Sequence, residues 1–237
     1  MKLFDIEGPL MQGLTKIADL MILNLLTILC CLPIFTIGAA LTALHYQVLK
    51  MVRHEECYIA RGYFKAFKEN FKQSTVVWLI MLVIVMVLVG DYYVISQSVE
   101  GVAQWFRAVL GAITVFVLFT LTMVFPFMAK FSNTTFQTIK NAMAISIIKF
   151  PITILMIIMN VIPPILGYLI FNMIPLVLLF GISVPAWGGA KLYNGFFKKL
   201  EEKILAAQAA NGELPAEEEE DERIFKDELD ETLVGKD

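Results

Sequence analysis

Charge is absent from long stretches of this 237-residue chain. No Asp, Glu, Lys or Arg occurs from Leu20 to Leu44, from Gln73 to Gly90, from Ala108 to Ala129, or from Phe150 to Ala190. An uncharged apolar run of about 17–25 residues is long enough to cross a bilayer as a helix, and soluble cores do not produce four of them. Lipid offers no partner to backbone N–H and C=O groups, so such runs must be helical. An ordinary soluble domain is excluded.

Reactive motifs are as scarce as charge. There is no G-x-x-x-x-G-K-[ST] phosphate loop, which argues against an ATPase, and no H-E-x-x-H zinc helix. No G-x-S-x-G nucleophile elbow occurs, nor a defensible Ser/His/Asp set. Three cysteines, Cys30, Cys31 and Cys57, are too few for a disulfide framework and read as reduced structural thiols. Only two histidines are present, His45 and His54. The His54-Glu55-Glu56-Cys57 cluster reads as a solvated loop rather than a metal site, because ligands within one turn do not close a coordination sphere. Asp5, Glu7 and Asp19 ahead of the first apolar run read against a cleaved leader.

What is present is a polytopic all-α pattern. Hydrophobic residues make up 58% of the chain and charged residues 17%, against about 25% in soluble domains. Five spans are expected, at about 20–44, 74–94, 108–129, 150–170 and 174–193. Gly8-Pro9 opens an expected interfacial helix over 8–19, the first span should kink near Pro33, and the third near Pro126. The run 150–190 needs a tight turn, placed at Phe171–Pro175 because a turn at Pro163-Pro164 would leave too short a span.

The loop between the first two spans holds Lys50, Arg53, Arg61, Lys65, Lys68 and Lys72. Within it, Tyr63, Phe64, Phe67 and Phe71 share a stripe, with Lys65, Lys68, Glu69 and Lys72 elsewhere. This predicts a basic amphipathic helix over 61–72, lying on the membrane surface against anionic lipid. A second, weaker surface helix is expected over 130–149.

Basic residues also set the orientation. Loops 45–73, 130–149 and 191–203 hold 6, 3 and 4 Lys/Arg, whereas the opposite side holds only Lys2, Lys16 and Arg107. The positive-inside rule then puts the N-terminus outside and the C-terminus in the cytoplasm. Residues 1–200 carry 15 Lys/Arg and 8 Asp/Glu; residues 201–237 carry 4 and 14. The chain therefore reads as a basic membrane domain, 1–200, followed by an acidic cytoplasmic tail, 201–237, partly disordered. In that tail Ile224, Phe225, Leu229 and Leu233 form a small apolar stripe suited to a basic partner protein.

Inside the spans the polar groups are neutral: Asn24, Thr27, Thr36, Thr114, Thr120, Thr122, Asn160, Asn172 and Ser183. They read as interhelical hydrogen-bond partners before they read as a solute path. Asp91 reads as a helix-end charge. Prolines in or beside the spans allow a transporter's broken helices as the alternative. No catalytic, cofactor-binding or metal-binding residue is expected, and no nucleic-acid partner.

Several segments taken together, Asn24-Leu25-Leu26, Cys31–Ala40, Ala43–Tyr46 with Lys50, Arg53 and Glu55, and Tyr63–Ser74, closely resemble the YesL-like family of bacterial membrane proteins. The Leu32-Pro33-x-x-Thr36-Ile37-Gly38 element together with Phe67-Lys68-x-Asn70-Phe71-Lys72 carries the resemblance. It implies a small integral membrane protein of Gram-positive bacteria, often encoded near carbohydrate ABC importers. It implies no established activity, so no site residue is carried over. A non-enzymatic accessory of carbohydrate uptake or its sensing is the expectation, working with an ABC-type importer or membrane sensor. A small-solute transporter is the alternative.

Overall fold

The structure is a computed structural model and describes residues 9–55, 58–97 and 104–210. Those residues form eight α-helices and two short 3-10 segments, with no strand among them. The helices are α1 (Pro9–Cys31), α2 (Ile37–Arg53), α3 (Ile59–Gln97), α4 (Gln104–Met128), α5 (Thr135–Ile148), α6 (Phe150–Leu169), α7 (Ile174–Phe180) and α8 (Ser183–Ala210). Four of them contain segments long and apolar enough to cross a membrane: Met11–Cys31, Ile59–Ser96, Trp105–Met128 and Phe150–Leu169. A fifth crossing is added if α7 and α8, bent by 53° at their junction, count as one span. The fold is that of an all-helical, multi-pass membrane protein. It comprises two compact units, Met1–Tyr193 and Asn194–Asp237, the second contributing the C-terminal part of α8.

The first expected span, 20–44, is not one helix. The helix begins at Pro9 among the described residues, so the expected interfacial segment and the span are continuous, and it ends at Cys31. Pro33 has no N–H to continue the ladder and forces the preceding residue out of helical geometry, so the chain breaks rather than kinks. The break is stitched by Thr36, whose hydroxyl donates to the carbonyls of Cys30 (2.6 Å) and Pro33 (2.7 Å). The Trp78 indole N–H donates to the Ile34 carbonyl at 2.8 Å. Helix α2 then runs as a separate, largely buried helix.

The surface helix expected over 61–72 and the span over 74–94 are likewise one element. The 39-residue α3 would be about 58 Å long, twice the hydrocarbon thickness. Its first half packs on α2 through an apolar and small-residue face that includes Ile59, Tyr63, Ala66, Ser74 and Val77, all buried. Close approach depends on two glycines. A Cβ on Gly38 would lie 2.6 Å from Trp78 Cβ and collide with the Ser74 carbonyl, and one on Gly62 would collide with the Gln47 side chain. Helix α2 ends in a left-handed cap at His54, φ 58°, whose N–H reaches the Lys50 and Met51 carbonyls.

The core lies where α1, α2, α3 and α4 meet, around Leu23, Ala39, Ala43, Leu44, Val48, Met81, Met123 and Val124. Beyond it α3, α4 and α6 expose aliphatic side chains such as Val83, Met86, Val115 and Ile162, as lipid contact requires. Helix α6 carries Pro163-Pro164 in its interior, and the turn to α7 is the 3-10 segment Phe171–Met173. Helix α7 stops at Phe180, so the segment 174–193 is divided at Gly181-Ile182. The acidic stretch 211–237 lies outside the described residues, as do Glu56, Cys57 and Gly101.

Candidate functional site: a helix break closed by Asn24

A membrane helix that stops and restarts leaves carbonyls at one end and N–H groups at the other without intrahelical partners. Water is not there to take them, so protein must. At the α7–α8 junction this is done by one side chain. Asn24, fully buried on α1, accepts hydrogen bonds on Oδ1 from the N–H groups of Ile182 and Ser183, each at 2.9 Å. Its Nδ2 donates to the Leu178 carbonyl at 2.8 Å. One primary amide thus completes the end of α7 and the start of α8 from a helix more than 150 residues away in sequence. Ser183 is also fully buried, and its hydroxyl has no hydrogen-bond partner among the described residues.

A second polar seam joins α1, α2 and α3. Ser74 donates to the Thr42 hydroxyl at 3.1 Å, and Thr42 donates in turn to the Gly38 carbonyl at 2.9 Å. The Tyr63 hydroxyl lies 3.3 Å from the Ala40 carbonyl and within hydrogen-bond reach of Thr27 and Cys30. Gln47 is buried in the same α2–α3 contact, with its Oε1 unpartnered among the described residues. Gln73 extends the seam to α5, donating to the Asn133 carbonyl and, at 3.3 Å, to the Thr138 hydroxyl.

The third feature is a pair at the middle of α2. His45 Nδ1 lies 3.2 Å from the hydroxyl of Tyr193, itself almost fully buried, and the Arg53 charge acts on the same hydroxyl. Burial pushes His45 down, to about 4, the limit for full enclosure of a ring that here keeps an edge at the surface. The ring is therefore neutral at physiological pH.

The other polar residues flagged in the sequence do not converge. Thr120 and Thr122 each donate to the carbonyl four residues back in their own helix, as Thr27 and Thr114 do besides their contacts across helices, Thr27 with Tyr63 in the seam and Thr114 with the Tyr92 hydroxyl of α3 at 3.3 Å. Asn160 does the same to Met156, and Asn172 is exposed in the 3-10 turn. Asp91 is half-buried near the end of α3, while His54 and Glu55 are exposed. Among the described residues no three His, Cys, Asp or Glu side chains stand close enough to share a metal ion. Several participants escaped the sequence reading: Thr42, Gln47, Gln73, Ser74 and Thr138 in the seam, and the His45–Tyr193 pairing. Gln47 could have been found by its place on the Gly38–Ala43 small-residue face of α2; nothing local points from His45 to Tyr193.

Residues 20–92 match the family model described as "Protein of unknown function, DUF624", the family to which YesL-like proteins belong. The matched segment runs from within α1 through α2 and most of α3, and so contains Asn24, the α1–α2 break and the polar seam. Comparison with curated proteins and with solved structures gives no match.

Proposed function

We propose that this protein is a non-enzymatic accessory of carbohydrate uptake or its sensing, acting beside an ABC-type importer or membrane sensor. It would reside in the plasma membrane of a Gram-positive bacterium, with its N-terminus outside and its C-terminus in the cytoplasm. The carbohydrate link comes from the genomic setting that the YesL-like resemblance implies. The orientation comes from the distribution of Lys and Arg.

One observation carries the choice of accessory over carrier. In transporters built on discontinuous helices, the exposed half-helix ends are the groups that hold the solute. Here the N–H groups of Ile182 and Ser183 and the carbonyl of Leu178 are already taken by Asn24. The break is used to build the bundle, not to present a binding site. What favours the second reading, a small-solute transporter, is the buried Ser183 hydroxyl without a partner at that same break.

Purification from native membranes separates the two. An accessory co-purifies with a permease or sensor subunit and shows no solute-dependent rise in thermal stability when isolated. A carrier is stabilised by its solute with no partner present, and that result would reverse the assignment.

A further inference from the structure

The first half of α3 has two opposed faces. One carries Ile59, Tyr63, Ala66 and Ser74 and is buried on α2. The other carries Arg61, Lys65, Lys68 and Lys72, spaced at three and four residues and thus on one stripe on the far side of the helix from α2. Lys68 and Lys72 are exposed, and Lys65 is 41% exposed with its ammonium 3.9 Å from Glu69. The aromatic stripe has a different fate from the one its sequence pattern predicts. Tyr63 is fully buried and Phe67 and Phe71 are half-buried, with Tyr63 stacked on Phe67 and Phe67 tilted against Phe71. Of the four aromatics only Phe64, on the flank of the basic stripe, is exposed.

Depth follows from continuity. Lys72 immediately precedes the charge-free run Gln73–Gly90, so it stands at the edge of the hydrocarbon. At 1.5 Å per residue, Lys68 and Lys65 lie about 6 and 10 Å further out along the same rigid helix. The headgroup layer is roughly 5–8 Å thick on each side, within reach of long flexible ammonium side chains. We infer that Lys65, Lys68 and Lys72 form a docking face for the phosphate of anionic phospholipid headgroups, at the point where α3 leaves the membrane. The helix stands through the headgroup layer and presents a ladder of ammonium groups to it; it does not lie on the surface with its aromatic residues inserted. This inference does not depend on the accessory reading.

The test uses the full chain in mild detergent, with phosphatidylglycerol or phosphatidylcholine added and retained lipid counted by native mass spectrometry. Attraction to anionic lipid is about fivefold in affinity per lysine near the surface, so the three together give on the order of 100-fold. The variant carrying Lys65→Gln, Lys68→Gln and Lys72→Gln should lose the preference for phosphatidylglycerol by about that factor. A control with Lys140→Gln, Lys198→Gln and Lys199→Gln should keep it, as should Lys→Arg changes at all three stripe positions. Loss of the preference in the arginine variant would show that charge is not the cause; if the triple glutamine variant folds poorly, the single exposed change Lys72→Gln carries the test and should lose about fivefold. Equal retention of both lipids, equal loss in stripe and control variants, or loss in the arginine variant would each overturn the inference. So would an acidic membrane protein captured through the stripe while lipid preference is unchanged, which would give the face to a protein partner.

Discussion

Replacing Asn24 with Leu keeps the branched shape of the side chain and removes all three hydrogen bonds at the α7–α8 junction. Two N–H groups and one carbonyl are then left buried with nothing to receive them. In water-soluble proteins an orphaned buried group costs about 1–3 kcal/mol. Interhelical bonds in membranes average about 0.6 kcal/mol and reach about 1.7, because the unfolded chain in the bilayer also finds partners. Three bonds to one fixed amide should therefore be worth about 2–5 kcal/mol. Asn160 is the internal control, since its amide serves only the Met156 carbonyl of its own helix and Asn160→Leu should cost less than about 0.5 kcal/mol. Thermal unfolding of the detergent-solubilised protein, followed by circular dichroism, separates the two. Asn24→Leu should lower the midpoint by about 5–15 °C and Asn160→Leu by no more than about 2 °C. Asn24→Asp should fall between the leucine variant and the native chain, because its carboxyl can still accept from Ile182 and Ser183 but ceases to donate to Leu178 once ionised. Equal midpoints for the two leucine variants would refute the reasoning and make the junction self-supporting.

Gly38→Leu should separate α2 from α3 and cost more than about 3 kcal/mol, read as loss of folded material on size exclusion; Gly13→Leu, where nothing lies within 4 Å, should be silent. His54→Gly should raise stability by about 1 kcal/mol, because the left-handed cap no longer strains a side chain. For His45 the sign follows from its lowered proton affinity: below pH 6.5 the unfolded chain binds a proton that the folded chain refuses until about pH 4. The His45 contribution is therefore flat above pH 6.5 and falls as the pH drops from 6.5 toward 4, by at most about 3 kcal/mol because the ring is not fully enclosed, and the difference between native chain and His45→Gln in chemical denaturation should show that slope and become independent of pH above 6.5. A cysteine at Gly101, in a chain lacking the native cysteines, should react with impermeant reagent on intact cells, whereas Cys57 should not; the reverse pattern would invert the proposed orientation.

Much of the membrane architecture was legible because it is written in one-dimensional quantities. The length of an uncharged run and the need to satisfy backbone groups in lipid together dictate helices, and those helices are present. What the sequence pattern misplaced were the joints. Pro33 and the charged stretch before Gln73 carry equal weight as local signals of an interruption, yet one interrupts and the other does not. At Pro33 the missing N–H is a covalent fact that no packing can repair within the helix. Around Lys72 nothing covalent forbids helix, so burial of Ile59, Tyr63 and Ala66 on α2 decides, and α3 runs straight through. An amphipathic pattern states that one face is covered, not what covers it. Tyr63 and its aromatic neighbours therefore read equally well as lipid-inserting or core-forming until α2 is in place.

The same distinction governs the polar residues. Thr120, Thr122 and Asn160 are satisfied within their own helices, at a range the sequence contains. Asn24 is indistinguishable from them by composition or position in a span, and its role exists only because α7 ends beside it. Gly181-Ile182 is an equally unremarkable pair, and the strong breakers nearby, Pro175 and Pro185, lie at the first turns of α7 and α8, where a missing N–H costs nothing. The break and its cap define each other: without Asn24 the open ends of α7 and α8 would have no partner in lipid, and without the break Asn24 would be a buried amide to be avoided. A pair of features that are each unfavourable alone and satisfied together cannot be found by scoring positions one at a time. In this chain that mutual dependence binds α1, inside the family-matched segment, to α7 and α8 outside it, so the 20–92 segment should not hold its native packing when expressed without residues 174–193.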